Sequence, residues 1–83
     1  MDTAWRIVDC SSLEGMLTSE RGSILVRPDN GPPTRIPVAD VTALLLGPRA
    51  CFSNAVLHRL LHSDVVVMFC DWRGVPEGAA YPW

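Results

Sequence analysis

The segment VTALLLGPRACFSNAVLHRLLHSDVVVMFC, residues 41–70, decides the fold that this sequence predicts. It begins and ends with apolar runs, residues 41–46 and 65–70, whose lengths are typical of β-strands. Unbroken apolar runs favour parallel strands, because parallel strands are covered on both faces. The connection between them is long enough for a parallel crossover, which needs about a dozen residues or more. We therefore predict that Leu44 and Val67 lie on neighbouring parallel strands.

A short amphipathic helix is predicted between the two runs. Gly47-Pro48 interrupts the first run, and Ser53 is suited to the N-cap of a helix over residues 54–62. At about 100° per residue, the apolar side chains of this helix share one face and the basic ones the opposite face. The apolar face carries Val56, Leu57, Leu60 and Leu61, and the opposite face carries His58, Arg59 and His62. We expect the apolar face to cover one side of the parallel sheet.

The N-terminal half predicts hairpins that cover the other side of that sheet. Four strands are expected, at residues 5–8, 14–18, 23–27 and 34–38. Residues 9–12 are expected to form a turn, and residues 19–22 a four-residue hairpin connection. Gly15 indicates a bulge or a close backbone approach, and Pro37 indicates an edge position or a bend. The predicted class is therefore β-rich α+β, with two small sheets packed face to face and one short helix in a strand–helix–strand unit.

The composition predicts one small domain with more apolar surface than its own core needs. The chain has 83 residues, of which 48% are hydrophobic, and its mean hydropathy is +0.18. Because a chain of this length has a large ratio of surface to volume, the high apolar fraction favours contact with a partner or with further chain. The alternative is a compact monomer with an apolar surface, since ordinary protein surfaces are already more than half apolar. The formal net charge is −2, whereas a free-standing nucleic-acid binder usually carries a basic excess.

The cysteines and the lengths of the apolar runs indicate the cellular compartment of the protein. Cys10, Cys51 and Cys70 are an odd number with no CxxC pair, which favours free thiols in a reducing cytoplasm. No apolar run approaches the ~20 residues that cross a bilayer, and the N-terminus does not resemble a signal peptide. We therefore expect a cytoplasmic protein with no membrane contact.

The residues alone predict neither a catalytic centre nor a metal site in this chain. His58 and His62 are spaced i, i+4 on one helix face, but Arg59 adds a fixed positive charge and no third ligand is evident. The serines lie in turns or cap positions, and no Gly-x-Ser-x-Gly elbow is present. We therefore expect no catalytic residue, metal ligand or cofactor here.

Two groups of residues are candidates for contact with a partner. Arg49, in the loop before the helix, and His58 and Arg59, on its exposed face, could touch one or two DNA phosphates. The alternative is that these three are isolated surface charges. The second group consists of aromatic residues near the C-terminus: Trp72, Tyr81 and Trp83. These aromatic residues suggest docking against another surface.

The order of these elements resembles a known family. The stretch TRIPVADVTALLLGPRACFSNAVLHRLLHSDVVVMFCDWRGVP, residues 34–76, is similar to the N-terminal domain of the CRISPR spacer-acquisition integrase, the endonuclease Cas1. The matching features are a hairpin ending at residues 36–38, a strand ending at residues 44–46, the helix after Ser53 and a buried strand at residues 65–71. The upstream GMLTSERGSILVR, residues 15–27, fits an earlier hairpin of the family, and VVMFCD resembles the type II systems.

The resemblance implies a protein longer than this chain. Such integrases join a β-rich N-terminal domain to a larger helical domain, whose Glu, His and Asp ligands hold a divalent metal ion, Mg or Mn, for strand transfer. We therefore expect residues 1–83 to be a single N-terminal domain without the catalytic one, inactive as a nuclease by itself and without a cofactor of its own. The full-length family member is a metal-dependent DNA endonuclease and integrase of antiviral defence.

The resemblance also implies partners. N-terminal domains of this family pair two subunits into a homodimer, contribute to the surface that holds duplex DNA, and work in a complex with a smaller integrase subunit. Arg49, His58 and Arg59 lie where family members place DNA-facing positive residues. The expected function is therefore dimerisation and DNA docking in a prokaryotic cytoplasm. The alternative is a stand-alone protein-interaction module, unrelated to CRISPR, that binds through Trp72 and Trp83.

Overall fold

The computed structural model describes residues 6–82. The elements in chain order are β1 (Arg6–Cys10), β2 (Gly15–Glu20), β3 (Ser23–Pro28), β4 (Thr34–Pro37), a 3₁₀ turn (Val38–Asp40), β5 (Val41–Leu46), β6 (Ala50–Phe52), α1 (Asn54–His62), β7 (Val66–Cys70) and β8 (Pro76–Ala80). The strands form two four-stranded sheets. The β-rich α+β class, with two small sheets and one helix, is confirmed. Two residues of the sequence predictions, Trp5 and Trp83, lie outside the described residues.

The first sheet, which we call the parallel sheet, has the strand order β1-β5-β7-β8. Strands β1, β5 and β7 are parallel, and β8 returns antiparallel to β7. Leu44 is the direct partner of Val67, so the predicted strand–helix–strand unit is confirmed. The sequence prediction placed the first strand with the N-terminal hairpins, and this placement is wrong, because β1 pairs in parallel with β5. A five-residue strand carries no signal of its partner.

The second sheet, which we call the hairpin sheet, has the order β4-β3-β2-β6. Strands β2, β3 and β4 pair antiparallel, as the predicted hairpins require. Pro37 ends the edge strand β4, where its missing N–H costs no ladder hydrogen bond. A Cβ on Gly15 would collide with the Arg27 carbonyl oxygen, so the predicted close backbone approach is confirmed. The three-residue strand β6, which pairs with β2, was not predicted.

Two predicted connections are wrong in their bounds. Ser19 and Glu20 continue β2, and Glu20 pairs directly with Ser23. The hairpin connection is therefore only Arg21-Gly22, with φ angles of 45° and 79°. Positive φ at both central residues is the geometry of a type I′ turn, which matches the twist of the flanking strands.

The first predicted turn begins two residues later than expected. Asp9 and Cys10 extend β1 and pair with Leu45 and Leu46, which leaves the turn to the residues that follow. The apolar Cys10 is buried at 7% exposure, so the core holds these residues in the strand although the local sequence is typical of a turn.

One hydrophobic core lies between the two sheets. Its most buried side chains come from both sheets, from the helix and from the residue before β7; they are Leu17, Ile24, Leu44, Leu60, Val65 and Val67. The helix α1 packs against β2 and against β7, one strand of each sheet. Val56 and Leu60 of α1 enter the same core as the hairpin sheet.

This shared core corrects the predicted placement of the helix. The helix and the hairpins do not cover opposite faces of the parallel sheet, because both bury their apolar side chains against its inner face. A chain this short has too little apolar volume for two separate cores. The outer face of the parallel sheet therefore stays accessible, although its strands read as unbroken apolar runs.

Candidate nucleic-acid interface and the adjoining pocket

Three loops meet at one edge of the parallel sheet. Because β1, β5 and β7 run in the same direction, the loops that follow them start at the same edge. Gly47, directly after β5, approaches the backbone of Ser11, and a Cβ at this position would collide with the Ser11 carbonyl oxygen. Gly74, in the β7–β8 loop, places its backbone near the Ser11 hydroxyl; a Cβ there would lie 3.7 Å from Oγ. The three loops therefore form one surface.

A pocket of about 330 Å³ opens between these loops. It is lined by residues 11–14 from the β1–β2 loop, Pro48 and Arg49 from the β5–β6 loop, and Trp72 from the β7–β8 loop. The lining combines an indole and two other apolar side chains with two hydroxyls, a carboxylate and a guanidinium. In open parallel sheets, ligands commonly bind at the carboxyl ends of the strands, which is where this pocket lies.

The β1–β2 loop is held by a carboxylate at the end of β1. The Ser11 hydroxyl and the Ser11 backbone N–H both donate hydrogen bonds to Asp9 Oδ1, at 2.6 and 2.9 Å. These hydrogen bonds hold the pKa of Asp9 below its ordinary value, because they stabilise the ionised carboxylate. These hydrogen bonds fix the conformation of the β1–β2 loop, which forms one wall of the pocket.

The β7–β8 loop is held in the same way by Asp71. Its Oδ1 accepts the backbone N–H groups of Arg73 and Val75, at 2.8 and 3.1 Å, and its Oδ2 accepts the Arg73 guanidinium at 3.0 Å. The Arg73 side-chain hydrogen bond and the Val75 backbone hydrogen bond lower the pKa of Asp71. Trp72 lies within this closed loop, and its side chain is 84% exposed. The Arg73 Cζ lies 5.7 Å from the centroid of the indole ring.

Arg49 is the one predicted DNA-binding residue that lines the pocket. Its Nη1 lies 3.1 Å from Glu14 Oε1, and the two side chains are 74% and 60% exposed. An ion pair this exposed contributes little to stability, because water and salt screen it. The guanidinium is therefore accessible to a ligand from the solvent side.

His58 and Arg59 lie elsewhere, on the exposed face of α1. His58 Nε2 is 3.2 Å from Asn54 Nδ2, one helical turn earlier. Ser53 occupies the predicted N-cap position, although its side chain makes no capping hydrogen bond. The structure thus places the three predicted residues on two elements, a loop and a helix, and only Arg49 belongs to the pocket.

The predicted aromatic group is divided by the β7–β8 hairpin. Trp72 lies at the carboxyl end of β7, whereas β8 carries the chain back to the other end of the sheet before Tyr81. The grouping of Trp72 with Tyr81 is therefore wrong. The contribution of residues 11–14 to a pocket with Trp72 was not anticipated, because it depends on the strand order and not on any local motif.

Residues 6–82 show neither a cluster of metal ligands nor a membrane-spanning helix. No three of the described His, Cys, Asp and Glu side chains lie close enough together to hold a metal ion. Within the same residues, α1 falls short of the length and apolar character that a transmembrane helix needs.

The two packed sheets and their single helix define a small β-rich α+β domain whose strand-end loops form a ligand-sized pocket. The family model of the CRISPR associated protein Cas1 matches residues 11–83. The chain therefore belongs to the Cas1 family. No curated protein matches the chain.

Solved structures show the same fold at low sequence identity. A Cas1 protein from Thermotoga maritima is 20% identical, with a TM-score of 0.81 over 99% of this chain and 25% of that chain. A Cas6-RT-Cas1–Cas2 complex matches at 19% identity and a TM-score of 0.82, over 100% of this chain and 9% of that chain. A Cas1–DNA complex matches at 20% identity and 0.72, over 93% of this chain and 28% of that chain. This chain thus spans about a quarter of the Thermotoga Cas1 chain.

Proposed function

We propose that this chain is the N-terminal dimerisation and DNA-docking domain of a CRISPR spacer-acquisition integrase and is not catalytic by itself. The observation that carries the proposal is the Cas1 family match over residues 11–83, in a chain that spans 25% of the Thermotoga Cas1 chain. Similar folds occur in a Cas1–Cas2 complex, a Cas1–DNA complex and a casposase bound to integration product. DNA and a smaller integrase subunit are accordingly the proposed partners, in the cytoplasm of a prokaryote.

The proposal places catalysis in a second domain. A larger helical domain would follow residue 83 in the natural protein and would supply the Glu, His and Asp ligands of a divalent Mg or Mn ion. A natural reading frame that continues into such a helical segment supports the assignment of catalysis to a second domain. A frame that ends at residue 83 contradicts it. The Cas1 family match already argues against a module unrelated to CRISPR.

The dimerisation surface that we propose is the outer face of the parallel sheet. Ile7 is 67% exposed there, and it pairs in register with Ala43, which pairs with Val66 on the next strand. Leu45 and Met68 form the next row and are half-buried. Parallel sheets normally have both faces covered, so this apolar face favours a partner. A second copy would cover it by isologous contact, the commonest arrangement in homo-oligomers.

The DNA-docking role is assigned to Arg49, His58 and Arg59, which are exposed, and the two arginines are positively charged. Contacts to phosphates do not depend on base sequence, and each one releases counterions. We expect Arg49→Ala and Arg59→Ala, in the full-length protein, to weaken binding about equally for unrelated duplexes. Each substitution should reduce the slope of log Kd against log salt concentration by about one.

A titration of duplex DNA at several salt concentrations tests this assignment. Arg35→Ala is the matched control, because Arg35 is exposed on β4 and forms an ion pair with Glu20 at 2.7 Å. The control should leave the salt dependence unchanged. If Arg49→Ala and Arg59→Ala also leave the slope unchanged, the docking role of these residues is refuted.

A further inference from the structure

The loop between β3 and β4 contains the dipeptide Asn30-Gly31. Both residues are exposed, and both lie outside the strands and the helix. Glycine has no Cβ, so the preceding side chain can approach its backbone nitrogen, and its backbone is freer than that of any other residue. An exposed Asn-Gly pair in a loop is therefore a place where the asparagine side chain can react with its own chain.

No hydrogen bond among the described residues holds this pair in place. Within residues 6–82, neither the Asn30 side-chain amide nor the Gly31 N–H makes one. A Cβ on Gly31 would lie 3.8 Å from Pro28 Cβ and 3.9 Å from Pro28 Cγ, so the space beside this backbone is open. The Asp29 N–H, just before the pair, donates to the Glu14 carbonyl oxygen at 2.8 Å. The Asn30 side chain can thus turn toward the Gly31 nitrogen without breaking a hydrogen bond.

We propose that Asn30 is a site of spontaneous deamidation, a covalent modification that changes both the charge and the backbone of the β3–β4 loop. The Gly31 backbone nitrogen loses its proton and bonds to Asn30 Cγ, while the bond from Cγ to Nδ2 breaks and ammonia leaves with that proton. The product is a succinimide ring. Water then opens the ring at Cγ, which gives isoaspartate or aspartate according to which of the two carbonyl carbons it attacks: attack at Cγ gives aspartate, and attack at the backbone carbonyl carbon gives isoaspartate.

The modification alters the loop in two ways. Both products add one carboxylate to a chain whose formal net charge is −2. Isoaspartate also routes the main chain through the β-carbon and so inserts one methylene before Gly31. The loop leads directly into the edge strand β4, which begins at Thr34 and pairs only with β3. The proposal does not depend on the DNA-docking or dimerisation roles, because none of the residues assigned to those roles lies in this loop.

Asn54, the other asparagine of the chain, is an internal control. It is the first residue of α1, and its Nδ2 lies 3.2 Å from His58 Nε2. The Cβ of Ala55 hinders approach to the Ala55 nitrogen, and ring closure would require Asn54 to leave its helical conformation. We expect Asn54 to keep its amide under conditions in which Asn30 loses it.

The test incubates the full-length protein at neutral and at mildly alkaline pH and follows both asparagines by mass spectrometry of tryptic peptides. Trypsin does not cut between Arg27 and Pro28, so Asn30 lies in the peptide of residues 22–35 and Asn54 in that of residues 50–59. We expect the first peptide to gain the mass difference between an amide and a carboxylic acid, faster at the higher pH, while the second keeps its mass. An isoaspartyl methyltransferase should methylate part of the product, since ring opening also gives isoaspartate.

Gly31→Ala is the matched variant. The fold should tolerate it, because Gly31 is outside the left-handed region and a Cβ there would make only ordinary contact with Pro28. We expect the variant to lose its Asn30 amide about tenfold more slowly, which corresponds to a barrier higher by about 1.4 kcal/mol. A synthetic peptide of residues 22–35 gives the rate without the fold, and we expect the folded protein to match that rate in order of magnitude.

The contrary results are distinct. If Asn30 keeps its amide in the protein while the synthetic peptide deamidates, the fold protects the site and the proposal fails. If Asn54 deamidates as fast as Asn30, the open loop has no effect on the reaction. If Gly31→Ala leaves the rate unchanged, or if only aspartate forms, water hydrolyses the amide directly and the ring does not close.

Discussion

At the scale of residues, single carboxylates determine the geometry of the candidate site. Asp9, the penultimate residue of β1, and Asp71, directly after β7, each accept hydrogen bonds from the loop beyond the strand. Such side-chain contacts with nearby backbone N–H groups are typical of aspartate in turns, so the turn after β7 was predictable. The hairpin at residues 19–22 was predicted, but its two-residue turn at Arg21-Gly22 was not, because arginine seldom adopts positive φ and the dipeptide lacks the usual Asn-Gly or Asp-Gly signal.

A prediction at this scale concerns the pH dependence of the β7–β8 loop. The Arg73 side chain and the Val75 N–H hold the pKa of Asp71 below its ordinary value of 3.8. A carboxylate whose pKa is lower in the folded state stabilises the fold above its unfolded pKa and loses this effect as pH falls through the folded pKa. Asp71→Asn should therefore lower the melting temperature at neutral pH, and the difference should shrink below pH 3.8.

The measurement is thermal unfolding followed by circular dichroism across the acid range. Glu77→Gln serves as the control, since it neutralises an exposed carboxylate on the neighbouring strand β8. If Asp71→Asn lowers the melting temperature as much in strong acid as at pH 7, the charge of Asp71 does not stabilise the loop.

At the scale of elements, long periodic segments were predictable and short paired ones were not. The bounds of β5 and α1 agree with the prediction, because an apolar run, a Gly-Pro break and an amphipathic period mark them. Strand β6 has only three residues, Ala50–Phe52, too few to show a pattern, and its pairing with β2 defines it. The pocket was not predictable either. It forms only because the loops after β1, β5 and β7 meet, and this depends on the strand order and not on a local sequence pattern.

The helix permits a test of the shared core. Leu60 is 1% exposed and lies in the core between the sheets, whereas Leu61 is only half-buried. Leu60→Ala should lower the free energy of unfolding by about 2–5 kcal/mol, the usual cost of truncating a fully buried leucine. Leu61→Ala should cost clearly less, because less of its surface is removed from water. Chemical denaturation measures both losses, and equal losses would contradict the packing of α1 against both sheets.

At the scale of the whole molecule, the two outer faces differ in character. The parallel sheet presents Ile7 together with half-buried apolar residues of β5 and β7. The hairpin sheet presents Arg27 and Arg35 beside Met16 on its strands. The apolar fraction of 48% therefore reflects one exposed sheet face as well as the core. A net charge of −2 is compatible with the proposed role, in which this domain would contribute only a few phosphate contacts.

The most direct test of the dimerisation surface is the molar mass of the full-length protein by light scattering during size-exclusion chromatography. We expect a dimer for the unsubstituted protein and a shift to monomer for Ile7→Glu, since the substitution places a charge on the proposed apolar interface. Met16→Glu, at a 51% exposed position on the other sheet, should remain a dimer. A monomeric unsubstituted protein, or a dimer that Ile7→Glu leaves intact, would contradict the account.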